Sequence, residues 1–142
     1  MILVEMVFGS SLYQQSLALR QLVLRTPLGL VLNETDVIGE EEQWHWGFIQ
    51  DDVLQACLVI KPQPHASAKL RQMAVSPALQ DQGLGRQLLA QAIVLLRERG
   101  FTDMTLDARQ TAVNFYRCLG FVEQGAYFPQ LGIPHIVMTQ RI

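Results

Sequence analysis

Cysteine is scarce: only Cys57 and Cys118 occur in 142 residues. They lie in an apolar strand-like run and a helix-like run, far apart and without metal-type spacing. Neither a disulfide framework nor a cysteine metal site fits, and both are expected as buried free thiols in a reducing cytoplasm. An excess of one charge is missing as well. The formal net charge is -2, and the nine arginines and two lysines are spread along the chain, which argues against the basic stripe of a nucleic-acid binder. No apolar run approaches membrane-spanning length. The apolar start "MILVEMVFGSS" has no basic flank and no small-residue cleavage site, and Glu5 interrupts it, so it reads as a strand rather than a secretory signal. Repeats, low-complexity tracts and Gly/Ser linkers are absent too. What is present is the composition of a soluble globular unit, 49% apolar and 17% charged, expected as a single domain over 1–142.

Periodicity places the elements. Residues 2–8 read as a first strand, and 12–25 as a helix capped by Ser10 or Ser11 and stopped by Pro27 and Gly29. The acidic "NETDVIGEEEQ" (33–43) reads as an exposed connection. "WHWGFIQ" (44–50) and "VLQACLVI" (53–60) form a strand pair joined at Asp51 and Asp52, with Trp44 and Trp46 packing on one face. "KPQPHAS" (61–67), broken by Pro62 and Pro64, is expected as a loop that leaves His65 in solvent, before a strand at Lys69–Val75. Residues 84–99 carry the clearest helix: Leu84, Leu88, Leu89, Ala92, Leu95 and Leu96 recur at helical spacing, and Gly100 ends it. A strand over "FTDMTLDA" (101–108), a helix over "RQTAVNFYRCL" (109–119) and two strands, "FVEQGAYF" (121–128) and "HIVMTQRI" (135–142), complete the chain. The central strand, long helix and strand imply a parallel crossover flanked by antiparallel strands. The class is therefore mixed α/β, with a sheet of about six to seven strands and flanking helices.

The loop "QDQGLG" (80–85) enters the long helix. The first four amides of a helix have no internal partner, and the helix dipole leaves that end partially positive. Gly83 and Gly85 remove Cβ atoms that would hold an anion away, Gln80, Asp81 and Gln82 lead into the turn, and Arg86 adds a positive charge. The loop reads as a phosphate cradle, or else as a turn that needs glycine only for its own shape. A P-loop is excluded because no Gly-Lys-Ser/Thr follows. The dinucleotide fingerprint half matches, with Asp107 placed for a ribose, but Leu88 stands where its third glycine belongs.

"QDQGLG" also resembles the Q/R-x-x-G-x-G/A pyrophosphate loop of the GNAT superfamily of N-acetyltransferases, and "LRQMAV" before it is similar as well. "AVNFYRCLGF" (112–121) resembles the A-x-x-F/L-Y-x-x-x-G-F segment of the same superfamily, so that the likeness covers about residues 53–128. "VLRTPLGL" and "GIPHIVM" are similar to a bacterial group of small acetyltransferases.

The resemblance implies acetyl-CoA as cosubstrate, with Gln80, Asp81, Gln82, Gly83, Leu84, Gly85 and Arg86 around its pyrophosphate. Its pantetheine arm would lie along Met73, Ala74 and Val75. It further implies direct transfer to a primary amine of a small molecule or peptide, Tyr116 as general acid, no metal and, by analogy, a homodimer. Cys118 has no base at recognisable spacing and is not expected as a nucleophile. Many members carry an asparagine seven residues before the tyrosine; here Arg109 holds that position and is a candidate contact to the arm. Asn114 sits roughly 200° around the helix from Tyr116 and reads as a structural or surface residue. For the base, which varies in the superfamily and is often a water chain, Glu41, Glu42, His45 and His135 qualify by chemistry, and His135, at the start of the last strand, is the leading side-chain candidate. The acidic Glu40–Glu42 stretch would favour a cationic amine, while an aminosugar or amino acid is equally compatible. A catalytically silent acyl-CoA-binding module is the alternative.

Overall fold

The alternating pattern becomes seven strands of one sheet in a computed structural model that describes residues 1–142. They are β1 (Val4–Met6), β2 (Trp44–Gln50), β3 (Val53–Gln63), β4 (Ser67–Val75), β5 (Asp103–Arg109), β6 (Val122–Gln130) and β7 (Ile133–Arg141), in the order β1-β2-β3-β4-β5-β7-β6. Every neighbouring pair is antiparallel except β4 and β5, which run parallel. A parallel pair needs a crossover, and helix α2 (Leu84–Glu98) supplies it.

Strand alternation sorts the side chains to two faces. Trp46, Phe48, Ala56, Leu58 and Ile60 share a core with Leu88, Leu89, Ala92 and Leu96 of α2 and with Val113 of the short helix α3 (Val113–Cys118). Each such leucine contributes about 1.5–3 kcal/mol by leaving water. A smaller cluster of Met6, Leu54, Cys57 and Ala74 is covered by Leu19 of α1 (Ser11–Arg20). Ser10 caps α1 by accepting from the Tyr13 amide. After Arg20 the chain widens into a π turn at Gln21–Arg25, tightens into a 3-10 turn at Thr26–Leu28 and leaves through Gly29 at φ 69°.

Three expectations need correction. β3 runs through Pro62 to Gln63, because β2 begins only at Trp44, opposite Ile60; Lys61, Pro62 and Gln63 therefore pair on one side only, with β4, and a missing N–H is tolerated there. Cys118 is exposed, since α3 is short and turns that end outward; Cys57 is buried as expected. The acidic segment is no plain exposed connection. It folds into 3-10 turns at Glu34–Val37 and Glu40–Glu42, and Glu40 is 0% exposed.

Glu40 is held by the guanidinium of Arg20, itself 0% exposed, through two bonds of 2.9 and 2.6 Å. The Tyr13 hydroxyl donates at 2.7 Å and Arg71 Nη1 approaches to 3.3 Å. Burial alone would raise the Glu40 pKa, but the hydrogen bonds and charge of Arg20, with help from Tyr13 and Arg71, outweigh it and hold the carboxyl below its ordinary value. No helix is long and apolar enough to cross a membrane.

Candidate active site

β4 and β5 stay paired only from Ser67–Asp103 to Leu70–Leu106. Beyond that point β4 carries an extra residue: Val59 faces Arg71 while Cys57 faces Ala74, and Gln72 turns to φ 53°. A bulge of this kind bends its strand, whereas β5 continues beside β7 up to Arg109 opposite His135. The two strands therefore part, leaving Arg71 to Val75 without a partner on the β5 side. A cleft of about 410 Å³ opens between them.

Tyr116 of α3 lines this cleft from one side. Its ring is fixed edge-on between Phe115 and Phe121, at 5.1 and 5.8 Å between centroids, and its hydroxyl makes no hydrogen bond within the protein. Burial pushes the phenol up to about 12, with the positive charge of Arg109 pulling the other way. His135, 4% exposed, lines the cleft from β7. Its Nδ1 lies 3.0 Å from the Ile133 carbonyl, an acceptor only, so Nδ1 carries the proton and Nε2 keeps a lone pair.

Arg109, at the end of β5, also lines the cleft, and one of its Nη2 hydrogens goes to the Leu24 carbonyl at 2.6 Å. Asp107 is paired with Lys69 at 3.1 Å across the gap, which leaves it unsuited to a ribose.

Next to Val75 the chain turns through Pro77–Leu79 into the glycine loop. Gly83 is the N-cap of α2 at φ 79°, a left-handed conformation that glycine adopts without cost. A Cβ there would meet nothing within 4 Å, and no side chain caps the helix. The amides of Leu84, Gly85 and Arg86 are unpaired elsewhere in the fold, so this end can accept an anion. Gly85 differs: a Cβ would lie 3.4 Å from Val75, 3.6 Å from Phe115 and 3.7 Å from Met73, which makes it a close-packing glycine between helix, strand and α3. Gln80 Nε2 ties the loop back to the Val75 carbonyl and Gln82 Nε2 to that of Ala78, while the side chains of Asp81 and Arg86 are exposed.

Of the candidate bases, only His135 reaches the cleft. Glu41 and Glu42 are exposed on their 3-10 turn, and His45 is buried with Nε2 donating to the Glu40 carbonyl at 2.7 Å. Trp44 and Trp46 stack at 5.9 Å beneath Arg99, as packing residues. Asn114 lies on the surface, accepting from Arg117. Sequence reasoning missed Arg25, Lys69 and Gln72, all on the cleft wall; no local pattern marks them, because they come from the turn after α1 and from β4 and meet only in the fold, with the bulge at Gln72 set by strand register.

Residues 35–142 match the acetyltransferase (GNAT) domain family. The uncharacterized protein YyaT of Bacillus subtilis (strain 168) is 30% identical over 76 residues, 54% of this chain and 51% of that protein, so the match spans about half of that relative's length. An acyl-CoA N-acyltransferase from Pseudomonas aeruginosa has the same fold, with a TM-score of 0.82, 24% identity and 97% of both chains covered. A GNAT family acetyltransferase from Elizabethkingia anophelis with acetyl-CoA bound has a TM-score of 0.76 at 15% identity, over 99% of this chain and 97% of that one. At these identities the structural likeness speaks for the fold. The family match is broader, running unbroken through the bulged strand, the glycine loop, the tyrosine helix and the last strand, and on that span the chain belongs to the GNAT acetyltransferase family.

Proposed function

We propose that this protein transfers the acetyl group of acetyl-CoA directly to a primary amine. The observation that carries the reading is the Tyr116 hydroxyl, free of any protein partner, in the cleft where β4 and β5 part beside an uncapped helix start. The fit of the cosubstrate rests on this chain's own groups. Unpaired amides from Leu84 to Arg86, at the positive end of α2 and with open space over Gly83, suit a diphosphate, with Gln80, Asp81 and Gln82 framing the turn. The unpaired edge of β4 at Met73, Ala74 and Val75 suits an extended amide-bearing arm, which can add to the sheet as a strand would. When bound, acetyl-CoA supplies an activated acetyl carbon.

The rest is the protein's work. A backbone N–H near Ala74 or Val75 polarises the carbonyl oxygen that gains charge as the amine attacks. His135 Nε2, left with its lone pair by the Ile133 contact, takes a proton from the amine. Tyr116 gives its proton to the departing sulfur, and Arg109 steadies the phenolate left behind by its charge. Holding both reactants in one cleft supplies much of the remaining acceleration. The free thiols fit a reducing compartment such as the cytoplasm.

Two measurements on the purified protein test this. Acetyl-CoA at a hundred times its Kd should stabilise the fold by about 2.7 kcal/mol, and thiol release should follow on addition of an accepted amine. No thermal shift with millimolar acetyl-CoA would overturn the proposal. A shift without turnover over a broad amine panel would leave a binding module instead.

A further inference from the structure

The charges lining the cleft do not cancel: Arg25, Lys69, Arg71 and Arg109 face only the carboxylates of Asp36 and Asp107, and the least committed donors are those of Arg25 and Arg109. Each neighbouring charge is accounted for. Arg71 is taken by Glu40 at 3.3 Å, by Gln43 and by the Asp36 carbonyl. Lys69 is taken by Asp107. Arg25 is 4% exposed, lines the cleft and donates no hydrogen bond within the protein. Its one carboxylate neighbour, Asp36 Oδ1, stands 3.8 Å away, beyond hydrogen-bond reach, while Oδ2 of the same residue is occupied by the Asn33 amide at 2.8 Å. Arg109 has no carboxylate neighbour and spends a single N–H on Leu24.

Neither guanidinium has a nitrogen that is both sealed from solvent and unpartnered; the only such side-chain atoms are His45 Nδ1 and Gln140 Oε1. The free N–H groups of Arg25 and Arg109 therefore open onto the cleft that both residues line. Burial and then the charge of Arg25 hold Arg109 below its ordinary pKa, as expected of a guanidinium with no carboxylate partner of its own.

A nearly buried guanidinium with unspent donors gains most from an anion that accepts them, and a fork of N–H groups suits a carboxylate or an equivalent oxyanion. We propose that the amine acceptor carries an anionic group, seated on Arg25 and Arg109, and that polyamines and other dications are poor acceptors. This rests on the acetyl-transfer reading and names its substrate class. It reverses the expectation drawn from the acidic run, because Glu40 is consumed by Arg20 and Arg71, and Glu41 and Glu42 face solvent outside the cleft. The cleft volume of about 410 Å³ lies at the small end of the usual range of about 300–1,000 Å³ for ligand sites, so the acceptor end that enters is small.

The test is calorimetric titration of the CoA-loaded protein with five amines of similar spacer: β-alanine, taurine, O-phosphoethanolamine, propylamine and 1,3-diaminopropane. At least one anionic member is expected to bind ten times or more tighter than propylamine, with the diamine weakest, and the ranking among the three anions tells carboxylate, sulfonate and phosphate apart. Arg25→Gln should erase the anion advantage and Arg25→Lys should keep part of it, with melting curves showing that both variants are folded. Equal or tighter binding of propylamine or the diamine, no binding of any anion, or an anion advantage that survives Arg25→Gln would overturn the proposal. Thiol release from acetyl-CoA in the same samples separates the two readings. Anions that bind but are never acetylated refute the transfer reaction and leave the anion site standing, whereas acetylation of the neutral amine and the diamine in preference to the anions does the reverse.

Discussion

Removing one oxygen atom, by Tyr116→Phe, is the sharpest probe of the proposed chemistry. The phenyl ring keeps its contacts with Phe115 and Phe121, and the lost hydroxyl has no partner to strand, so stability should change by less than about 1 kcal/mol. The kinetic effect follows from the raised phenol. At about 12 it is an unwilling acid. Against a leaving thiol of about 8.5, a proton passed to free thiolate climbs about 3.5 pKa units, or ~4.8 kcal/mol, where an ordinary phenol at about 10 would climb ~2 kcal/mol. Tyr116 can therefore help only while the carbon–sulfur bond is breaking, and its contribution should lie at or below the low end of the roughly 10²–10⁴-fold given by positioned acids and bases. We expect kcat to fall between tenfold and about a hundredfold, with the Kd for acetyl-CoA within about twofold. Stopped-flow thiol release and equilibrium titration read these separately. The sign of the pH effect is also fixed: the active form is the protonated one, so a raised pKa extends the plateau upward, and Tyr116 should impose no alkaline limb up to about pH 11. Wild-type turnover in the Phe variant refutes the role. An alkaline limb near pH 9 that vanishes on Tyr116→Phe would refute the burial argument while leaving the role.

Two further outcomes follow from buried groups. Glu40→Ala strands the fully buried Arg20 charge and should cost about 3–5 kcal/mol in urea unfolding, or roughly 10–15 °C in Tm for a chain of this size; a loss under about 1.5 kcal/mol would show that water reaches the pair. Because the Glu40 pKa is depressed, its contribution is complete above the unfolded carboxylate value of about 4.3 and fades as pH falls through the lower folded value. The wild type should therefore lose Tm below about pH 4 more steeply than the Glu40→Ala variant. Under native conditions a thiol reagent should label Cys118 alone, since Cys57 is buried and its thiol is pushed up to about 12; prompt reaction of both cysteines would contradict that packing.

What could be read from the chain alone was whatever depends on short spacing. The leucines of α2, the cap at Ser10, the glycine stop at Gly100 and the alternation of β2 are local, and they became the elements expected of them. Partners distant in sequence were invisible. Glu40 looks like one of three solvated glutamates until Arg20 and Arg71 arrive from α1 and β4. Pro62 looks like a strand breaker until β2 is seen to begin only opposite Ile60. Gly85 has the right spacing for an anion loop, yet its neighbours are Val75, Phe115 and Met73, so its lack of a side chain serves packing while Gly83 serves the turn. The cleft itself depends on one surplus residue at Gln72, which changes the register of β4 against β3, and register is a property of paired strands that one strand's sequence does not display.

The same distinction governs charge. The acidic segment, read along the chain, suggests attraction for cations, and the net charge of -2 agrees with it. Coulomb energy depends on separation and surroundings, however, and at 4 Å it grows from about 1 kcal/mol in bulk water to about 4 kcal/mol near a protein surface. Exposed Glu41 and Glu42 therefore add little, while buried Glu40 spends its charge on Arg20. Arg25 and Arg109 are fewer, but Arg25 is buried and Arg109 half-buried, and salt screens such charges less than exposed ones. On the proposed reading, the excess of cationic side chains over carboxylates on the cleft wall makes the field at the acceptor site positive, the opposite of the sign that a count of charges along the sequence suggests.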